Sequence, residues 1–296
     1  MPDGISIIDV DAARAGEFLS YALAHGVQHD DSYTTPEELE RFDLATEPTL
    51  LVLDAAGTIV GAASAMLTGY QDRGDARLRI LHATDPELYP AMLDHLTARL
   101  PDAVRRVFLF LPDSALVTAE ALRLVGFAES RRAYILRHSD PRHAERPELP
   151  GSTRLAEAYP PDAVHWTHIV NTAFHGQPGR PDMDFDRARE LLARHRVIHD
   201  GTYIAWRDDA PGGVVMTVGD PDDPYGAEIE TLAVVPADQG IGLGRALLRT
   251  ALAAAGRDGR THVTLSVSTT NRRALALYLD AGFDVDEVRV CWQLER

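Results

Sequence analysis

Apolar and polar positions alternate in short runs over parts of the chain and recur at helical spacing over others, so the sequence predicts a mixed α/β protein. In the second half, the period of two gives strands at 202–206, 213–218, 228–235 and 261–267. Asp208-Asp209-Ala210-Pro211-Gly212 reads as the turn joining the first two. The helical period gives helices at 163–173, 185–195 and 245–257. The middle one is opened by Asp182 or Asp184 as a cap, and the last turns Leu247, Leu248, Ala251, Leu252 and Ala255 to one buried face. A helical stretch at 272–281, the pair Gly282-Phe283 and a strand through Val288, Val290 and Trp292 end the chain.

The first half repeats that ending. A strand at 107–111 and a helical stretch at 115–125 lead to Gly126-Phe127 and then Tyr134-Ile135-Leu136. The two Gly-Phe pairs lie 156 residues apart, and the flanking strands keep the offset. Between the halves, Ser139 to Gly151 carries three prolines and several charges, the composition of an extended, solvated connector and not of a core element. A length of 296 residues is about twice that of a usual domain. The expectation is a duplicated domain, with the first copy at 1–140 and the second at 151–296, each a mixed central β-sheet flanked by helices.

Composition removes several functions. Basic residues number 29 and acidic residues 45, a net charge of −16 that repels nucleic acid and anionic lipid and attracts small cations. All the basic residues are arginine, so chemistry that requires a lysine amine is excluded. The single cysteine, Cys291, has no partner for an internal disulfide and sits in the alternation of the last strand, where inert packing is its expected role. Residues 1–6 lack a basic region followed by an apolar core. The longest candidate span, 55–71, is too short for a membrane and is broken by Gly57, Gly61 and Gly69. A soluble, cytoplasmic protein without nucleic-acid or membrane partners, monomeric or homodimeric, is expected.

The strand at 228–235 runs into Pro236-Ala237-Asp238-Gln239-Gly240-Ile241-Gly242-Leu243-Gly244, and a helix follows. A glycine-rich turn at a helix start suits an anion, because the first helical N–H groups have no intrahelical acceptors and the peptide dipoles leave that end positive. The dinucleotide fingerprint fails here on three counts. The loop follows the third strand of its half, Arg245 stands where a third glycine is required, and no acidic residue ends a second strand about twenty residues on.

What fits is Gln239-x-x-Gly242-x-Gly244 after Leu232-Ala233-Val234-Val235-Pro236, followed by Asn271-Arg272-Arg273-Ala274-Leu275-Ala276-Leu277-Tyr278-Leu279-Asp280-Ala281-Gly282-Phe283. Both segments, in this order with a strand between them, resemble the two signatures of the GCN5-related N-acetyltransferases, the GNAT superfamily. The resemblance covers residues 228–294. The tandem layout resembles the mycothiol synthase type, in which two such domains share a chain and the C-terminal one is active. The implied fold is two tandem GNAT-like domains, the first degenerate. The implied reaction is transfer of an acetyl group from acetyl-CoA to a primary amine of a small molecule, with no metal.

The resemblance assigns roles. The backbone at Leu232, Ala233 and Val234 would pair with the pantetheine arm, and amides from Gln239 through Gly240, Ile241, Gly242, Leu243 and Gly244 to Arg245 would hold the pyrophosphate. Asn271 would bond the cofactor arm, Arg272 or Arg273 would meet its phosphates, and Tyr278 would protonate the departing thiolate. For Tyr278 the structural alternative is a packed helix aromatic; for the two arginines it is a solvated helix face. Glu228 matches a position where several members carry a glutamate base, and otherwise reads as an exposed strand-end carboxylate. Glu230 is the reserve, as a base through a water or as an anchor for a cationic substrate. Strand parity sets both glutamates on the face of Leu232 and Val234.

In the first half the loop reads Glu87-Leu88-Tyr89-Pro90, without glycine, and the offset puts Leu122 at Tyr278's place and Ala115 at Asn271's. That half is expected to be structural or to shape the substrate site. Twelve histidines, His195 and His199 at helical spacing among them, form no recognised zinc motif and are expected to be ordinary surface or pocket groups. His175, before the Gly176-Gln177-Pro178-Gly179 loop, could border the acceptor pocket; Asp182, Asp184 and Asp186 could draw in a cationic acceptor or merely cap and solvate. The alternatives to the transferase are a non-catalytic protein that senses acyl-CoA, or an enzyme with another acyl donor or acceptor.

Overall fold

The structure, a computed structural model, describes residues 4–25, 42–67, 70, 73–176, 182–221 and 223–296. The chain divides into two compact units, one of Met1–Ala133 with Glu287–Arg296 and one of Tyr134–Asp286. In chain order the strands are β1 (Ser6–Asp9), β2 (Thr49–Leu53), β3 (Ile59–Met66), β4 (Asp75–Ala83), β5 (Arg106–Pro112) and β6 (Ala128–His138). They continue as β7 (Thr153–Glu157), β8 (Tyr203–Arg207), β9 (Ala210–Gly219), β10 (Gly226–Val234), β11 (His262–Ser268) and β12 (Asp284–Glu295). The described helices are α1 (Ala15–His25), α2 (Tyr89–Thr97), α3 (Leu116–Leu124), α4 (Ala163–Phe174), α5 (Phe185–Leu192), α6 (Leu243–Arg257) and α7 (Arg272–Asp280).

The first unit is built on the strand order β1-β2-β3-β4-β5-β12, with the opening residues of β6 beside β12. Its strands are antiparallel except for the parallel pair β4–β5. Leu78 and Leu81 pack on one face with Met92 of α2 and Leu122 of α3, while Ile80 packs on the other with Phe18 and Tyr21 of α1. Residues 287–296, from the far end of the chain, complete this sheet: Cys291 lies opposite Phe110 and Trp292 opposite Leu109. Cys291 is fully buried, and burial raises its thiol pKa.

The second unit has the order β7-β8-β9-β10-β11, with the closing residues of β6 beside β11. Only β10–β11 is parallel among its described ladders. Leu247, Leu248 and Ala251 of α6 and Tyr278 of α7 cover one face; Trp166 and Ile169 of α4 and Leu191 of α5 cover the other. Two local features differ from the sequence reading. The β8–β9 turn is tighter than five residues: Asp208 and Asp209 both take the left-handed conformation (φ +48° and +63°), and β9 begins at Ala210. The connector is not wholly solvated either. Pro141–His143 forms a single 3₁₀ turn, capped by the Asp140 side chain accepting from the Arg142 N–H, and Pro141 is buried. Gly256 of α6 makes room for it, since a Cβ there would lie 2.3 Å from the Pro141 carbonyl oxygen.

Candidate active site

Strand β10 is irregular where the chemistry is expected. It pairs with β9 through Ile229 opposite Thr217 and resumes with Thr231 opposite Met216, so Glu230 is an extra residue, a β-bulge. The bulge resets the alternation. Ala227 and Ile229 belong to the core beneath α6 and α7, and beyond the bulge Leu232 and Val234 pack against that same core. Ala233 turns to the α4–α5 side. The parity argument from the sequence is therefore corrected: Glu228, between Ala227 and Ile229, projects to the face opposite Leu232 and Val234, because one inserted residue flips every later side chain.

The other edge of β10 opens. Its parallel ladder with β11 has three pairs, from Gly226 opposite His262 to Glu228 opposite Thr264, although β10 runs on to Val234 and β11 to Ser268. Beyond Glu228 the two strands diverge, and the β10 backbone on that side has no ladder partner. An unpaired run of N–H and C=O groups is a template for an extended, amide-bearing ligand.

The chain then makes the 3₁₀ turn Pro236–Asp238 and enters α6 through Gly240 and Gly242, both left-handed (φ +87° and +94°). No atom lies within 4 Å of a Cβ built on Gly242, so glycine is required there by its φ and the space in front of it is open. The N–H groups of residues 240 to 245 donate to no acceptor among the described residues. Gln239 differs from the expectation, because its N–H is used internally, bonded to the Pro236 carbonyl at 3.3 Å. Its side chain is a brace: Nε2 donates to the Val234 carbonyl (3.0 Å) and Oε1 accepts from Arg273 Nη1 (2.6 Å). The buried Asp238 accepts from Arg207 and fixes the turn below. The result is a row of free amides at the positive end of a fifteen-residue helix, suited to a diphosphate.

Helix α7 supplies the second signature. Asn271 caps it, Oδ1 accepting from the Ala274 N–H at 3.2 Å, so only its NH₂ remains for a ligand. Arg272 is exposed, Arg273 is tied to Gln239, and Arg245 pairs with Asp280 at 3.2 Å. Tyr278 is 7% exposed, its ring 6.0 Å from that of Phe283. Its hydroxyl has no hydrogen-bond partner among the described residues, and burial raises its pKa to about 12, which keeps it a proton donor.

The two glutamates differ in kind. Glu228 is half-buried and makes no hydrogen bond or ion pair among the described residues. Burial, then the Glu230 charge and Asp220, push its carboxyl up to about 7, against the opposing pull of Arg196 and Arg194. Glu230 is held by Arg194, whose Nη1 lies 2.7 Å from Oε1, while its Oε2 is sealed from solvent without a donor among the described residues. Arg194, Arg196 and Asp220 are tuning groups that sequence reasoning missed. They flank His195 and end β9 without any motif, and only the fold brings them to Glu228. The other singled-out residues play local roles. His199 stacks on Tyr159 at 4.9 Å, Asp184 caps α5 by accepting from the Arg187 N–H (2.7 Å), and Asp186 pairs with Arg189 (3.4 Å). Gln177, Pro178 and Gly179 lie outside the described residues. Among the described residues no group of three histidine, cysteine or carboxylate side chains could hold a metal, and no helix is long and apolar enough to cross a membrane.

The first unit repeats the frame without the cradle. Its β4–β5 ladder also has three pairs, and β4 also carries a bulge, at Arg79. Leu88, in ordinary helical conformation, opens α2 with Pro90 in the first turn. Tyr89 occupies the end of the strand gap, its hydroxyl accepting from the Ala83 N–H (3.3 Å) and meeting Thr118 Oγ1 (3.3 Å).

A divided mixed sheet, a left-handed glycine turn and a helix end with free amides together make an α/β fold whose geometry suits a phosphate-bearing, amide-containing ligand. Residues 164–283 match the acetyltransferase (GNAT) family model. A mycothiol acetyltransferase of Beutenbergia cavernae is 30% identical over 249 residues, 79% of each chain. Matches to two other proteins of that name cover 49% and 63% of them, so there the chain spans about half to three-fifths of its relatives. The GCN5-related N-acetyltransferase from Sphaerobacter thermophilus superposes with a TM-score of 0.74 at 20% identity, over 100% of this chain and 96% of that one. A tandem GNAT protein from the clavulanic acid biosynthesis pathway gives 0.71 at 16% identity, over 98% of both. The chain belongs to the GNAT family.

Proposed function

We propose that the second unit transfers an acetyl group from acetyl-CoA to the amine of a small molecule by direct attack, and that the first unit does not turn over. The observation that carries this reading is the coincidence of the β10–β11 divergence with the free N–H row at residues 240–245. One feature suits a pantetheine arm and the other its diphosphate. Leu232, Ala233 and Val234 lie on the stretch of β10 beside the gap; with the Val234 carbonyl taken by Gln239 Nε2, the Leu232 groups and the Val234 N–H are offered to the arm, and the α6 end holds the phosphates. The Asn271 NH₂ remains for the arm, and Arg272, exposed at the start of α7, is the cation offered to the phosphates.

Glu228 is the base. A carboxylate with a pKa near 7 collects a proton at neutral pH better than an ordinary glutamate. The amine nitrogen forms a bond to the thioester carbonyl carbon and the C–S bond breaks. Glu228 takes the N–H proton, and Tyr278 gives its hydroxyl proton to the leaving sulfur. Glu230 is a poorer base than Glu228, because Arg194 already holds one of its oxygens. A small-molecule acceptor accords with the acidic balance and with the relatives' name. Thiol release from acetyl-CoA against amino sugars, polyamines, amino acids, peptide N-termini and cysteinyl amines tests the reading. Amine-dependent release is expected, and absence of release with every class overturns it.

A further inference from the structure

Glu230 carries an oddity that the transfer reaction does not use. As the bulge residue it stands outside the regular ladder, and Arg194 fixes its headgroup through Oε1 at 2.7 Å. Arg194 is itself mostly buried, with 11% of its side chain exposed, so the tether is not a wandering surface pair. The second oxygen, Oε2, is shut off from water and has no donor among the described residues. A sealed carboxylate oxygen without a donor is costly, and such an atom is retained where a ligand supplies the missing hydrogen bond. Glu230 lies two residues along the same strand from Glu228, near enough for its charge to act on the Glu228 carboxyl. The groups around the pair are Asp220, Arg194 and Arg196.

We propose that Glu230 reads the acceptor: its Oε2 accepts a hydrogen bond from a second donor, a hydroxyl or an ammonium, a few bonds from the amine that attacks at Glu228. The preferred substrates are therefore amino alcohols, amino sugars or diamines, not simple monoamines. This rests on the acetyl-transfer reading and adds its substrate class. Glu230 is a specificity residue, and Arg194 positions it. The bulge matters because it sets the orientation of this side chain without displacing Glu228.

The test compares trans-1,2-diaminocyclohexane, whose second ammonium can only donate, with cyclohexylamine in the wild type and in Glu230→Gln. Glutamine keeps the volume and still accepts from Arg194, but it presents an NH₂ where the sealed oxygen stood, so the substrate ammonium meets a donor. The wild type should favour the diamine by about tenfold or more in kcat/KM. E230Q should reduce that ratio to near one, chiefly through KM. Removing the neighbouring charge should also move the acid limb of the pH–rate profile to lower pH. Arg194→Met, which frees the carboxylate to rotate, should weaken the preference less than E230Q does. An unchanged substrate ratio in well-folded E230Q overturns the assignment while leaving acetyl transfer intact. Failure of the wild type to release thiol with any amine overturns the transfer reading and this inference with it.

Discussion

The Glu228 carboxyl makes a prediction that couples stability to activity. An acid whose pKa is higher in the folded chain binds its proton more tightly there, so its ionisation opposes folding. For Glu228 the gap between 4.5 and about 7 is worth roughly 3 kcal/mol. The penalty is small at pH 5, under about 1 kcal/mol, grows through the window between the two values, and stands at about 3 kcal/mol by pH 8. Glu228→Gln removes the charge and keeps the shape. It should therefore stabilise the second unit at pH 8 by up to that amount, a rise of roughly 5–10 °C in melting temperature for a domain of this size, and do little at pH 5. The same substitution should slow acetyl transfer by about 10²- to 10⁴-fold. Wild-type kcat at saturating acceptor should fall about tenfold per pH unit below pH 7. Denaturant titrations of both proteins at the two pH values, with a pH–rate profile, decide the matter. Equal stability at pH 8, or a flat profile from pH 6 to 8, would refute the argument that burial and the Glu230 charge hold this group near neutrality.

Other expectations are independent of the base. Tyr278→Phe should leave coenzyme affinity nearly unchanged by calorimetry and slow transfer by about 10²- to 10⁴-fold; normal turnover removes the hydroxyl from the reaction. Its hydroxyl has no partner among the described residues, so the variant should lose little stability. At Gly242 the left-handed φ of +94° with open space beyond it makes Asn and Asp an informative pair, since both tolerate that conformation and they differ in charge. Gly242→Asn should retain measurable acetyl-CoA binding and Gly242→Asp should abolish it; equal affinities would contradict a diphosphate at this turn. Calorimetry on the whole chain should give one bound coenzyme per chain, and a stoichiometry of two would show that the first unit keeps a working cradle.

Much of this was legible in the sequence, because strand alternation, helical periodicity and the two glycine-bearing motifs are local signals. Helices α4, α6 and α7 lie within a few residues of the expected positions, and Asp184 is the cap that its sequence position suggested. The failures are those of non-local information. Nothing in the alternation of residues 284–295 says that most of this strand pairs with β5 of the first unit. The bulge at Glu230 has no glycine or proline to announce it, so parity set the glutamates on the wrong face. Gln239 fits a binding motif, yet its N–H and both side-chain groups serve the turn, because the loop needs bracing before it can present the amides that follow. Arg194, Arg196 and Asp220 come from two segments that become neighbours of Glu228 only once the strands assemble.

Matching the two three-pair ladders shows where the two copies differ. Setting Gly226–His262 on Asp75–Arg106 puts Arg77 at the place of Glu228 and Arg79 at that of Glu230, and the bulges coincide. The bulge and the diverging strands therefore belong to the backbone frame and are not evidence of catalysis. The side chains decide. Arg79 is buried in an ion pair with Glu47 at 2.6 Å. Arg77 is buried against the rings of Phe108 and Phe110, 5.8 and 5.2 Å from their centres, and Arg131 stacks on the same two rings. Burial and the nearby Arg131 and Arg289 charges lower the Arg77 pKa to about 9, which still leaves it a cation at neutral pH, unable to take a proton from an amine and repelling an ammonium substrate. With Tyr89 at the end of the strand gap and no left-handed glycine before α2, the first unit has exchanged a carboxylate-lined cleft for a guanidinium-packed face. Reversing one charge would not restore it: Arg77→Glu would bury an acid against Phe108 and Phe110 with no amide row nearby, and is expected to destabilise the unit without creating turnover.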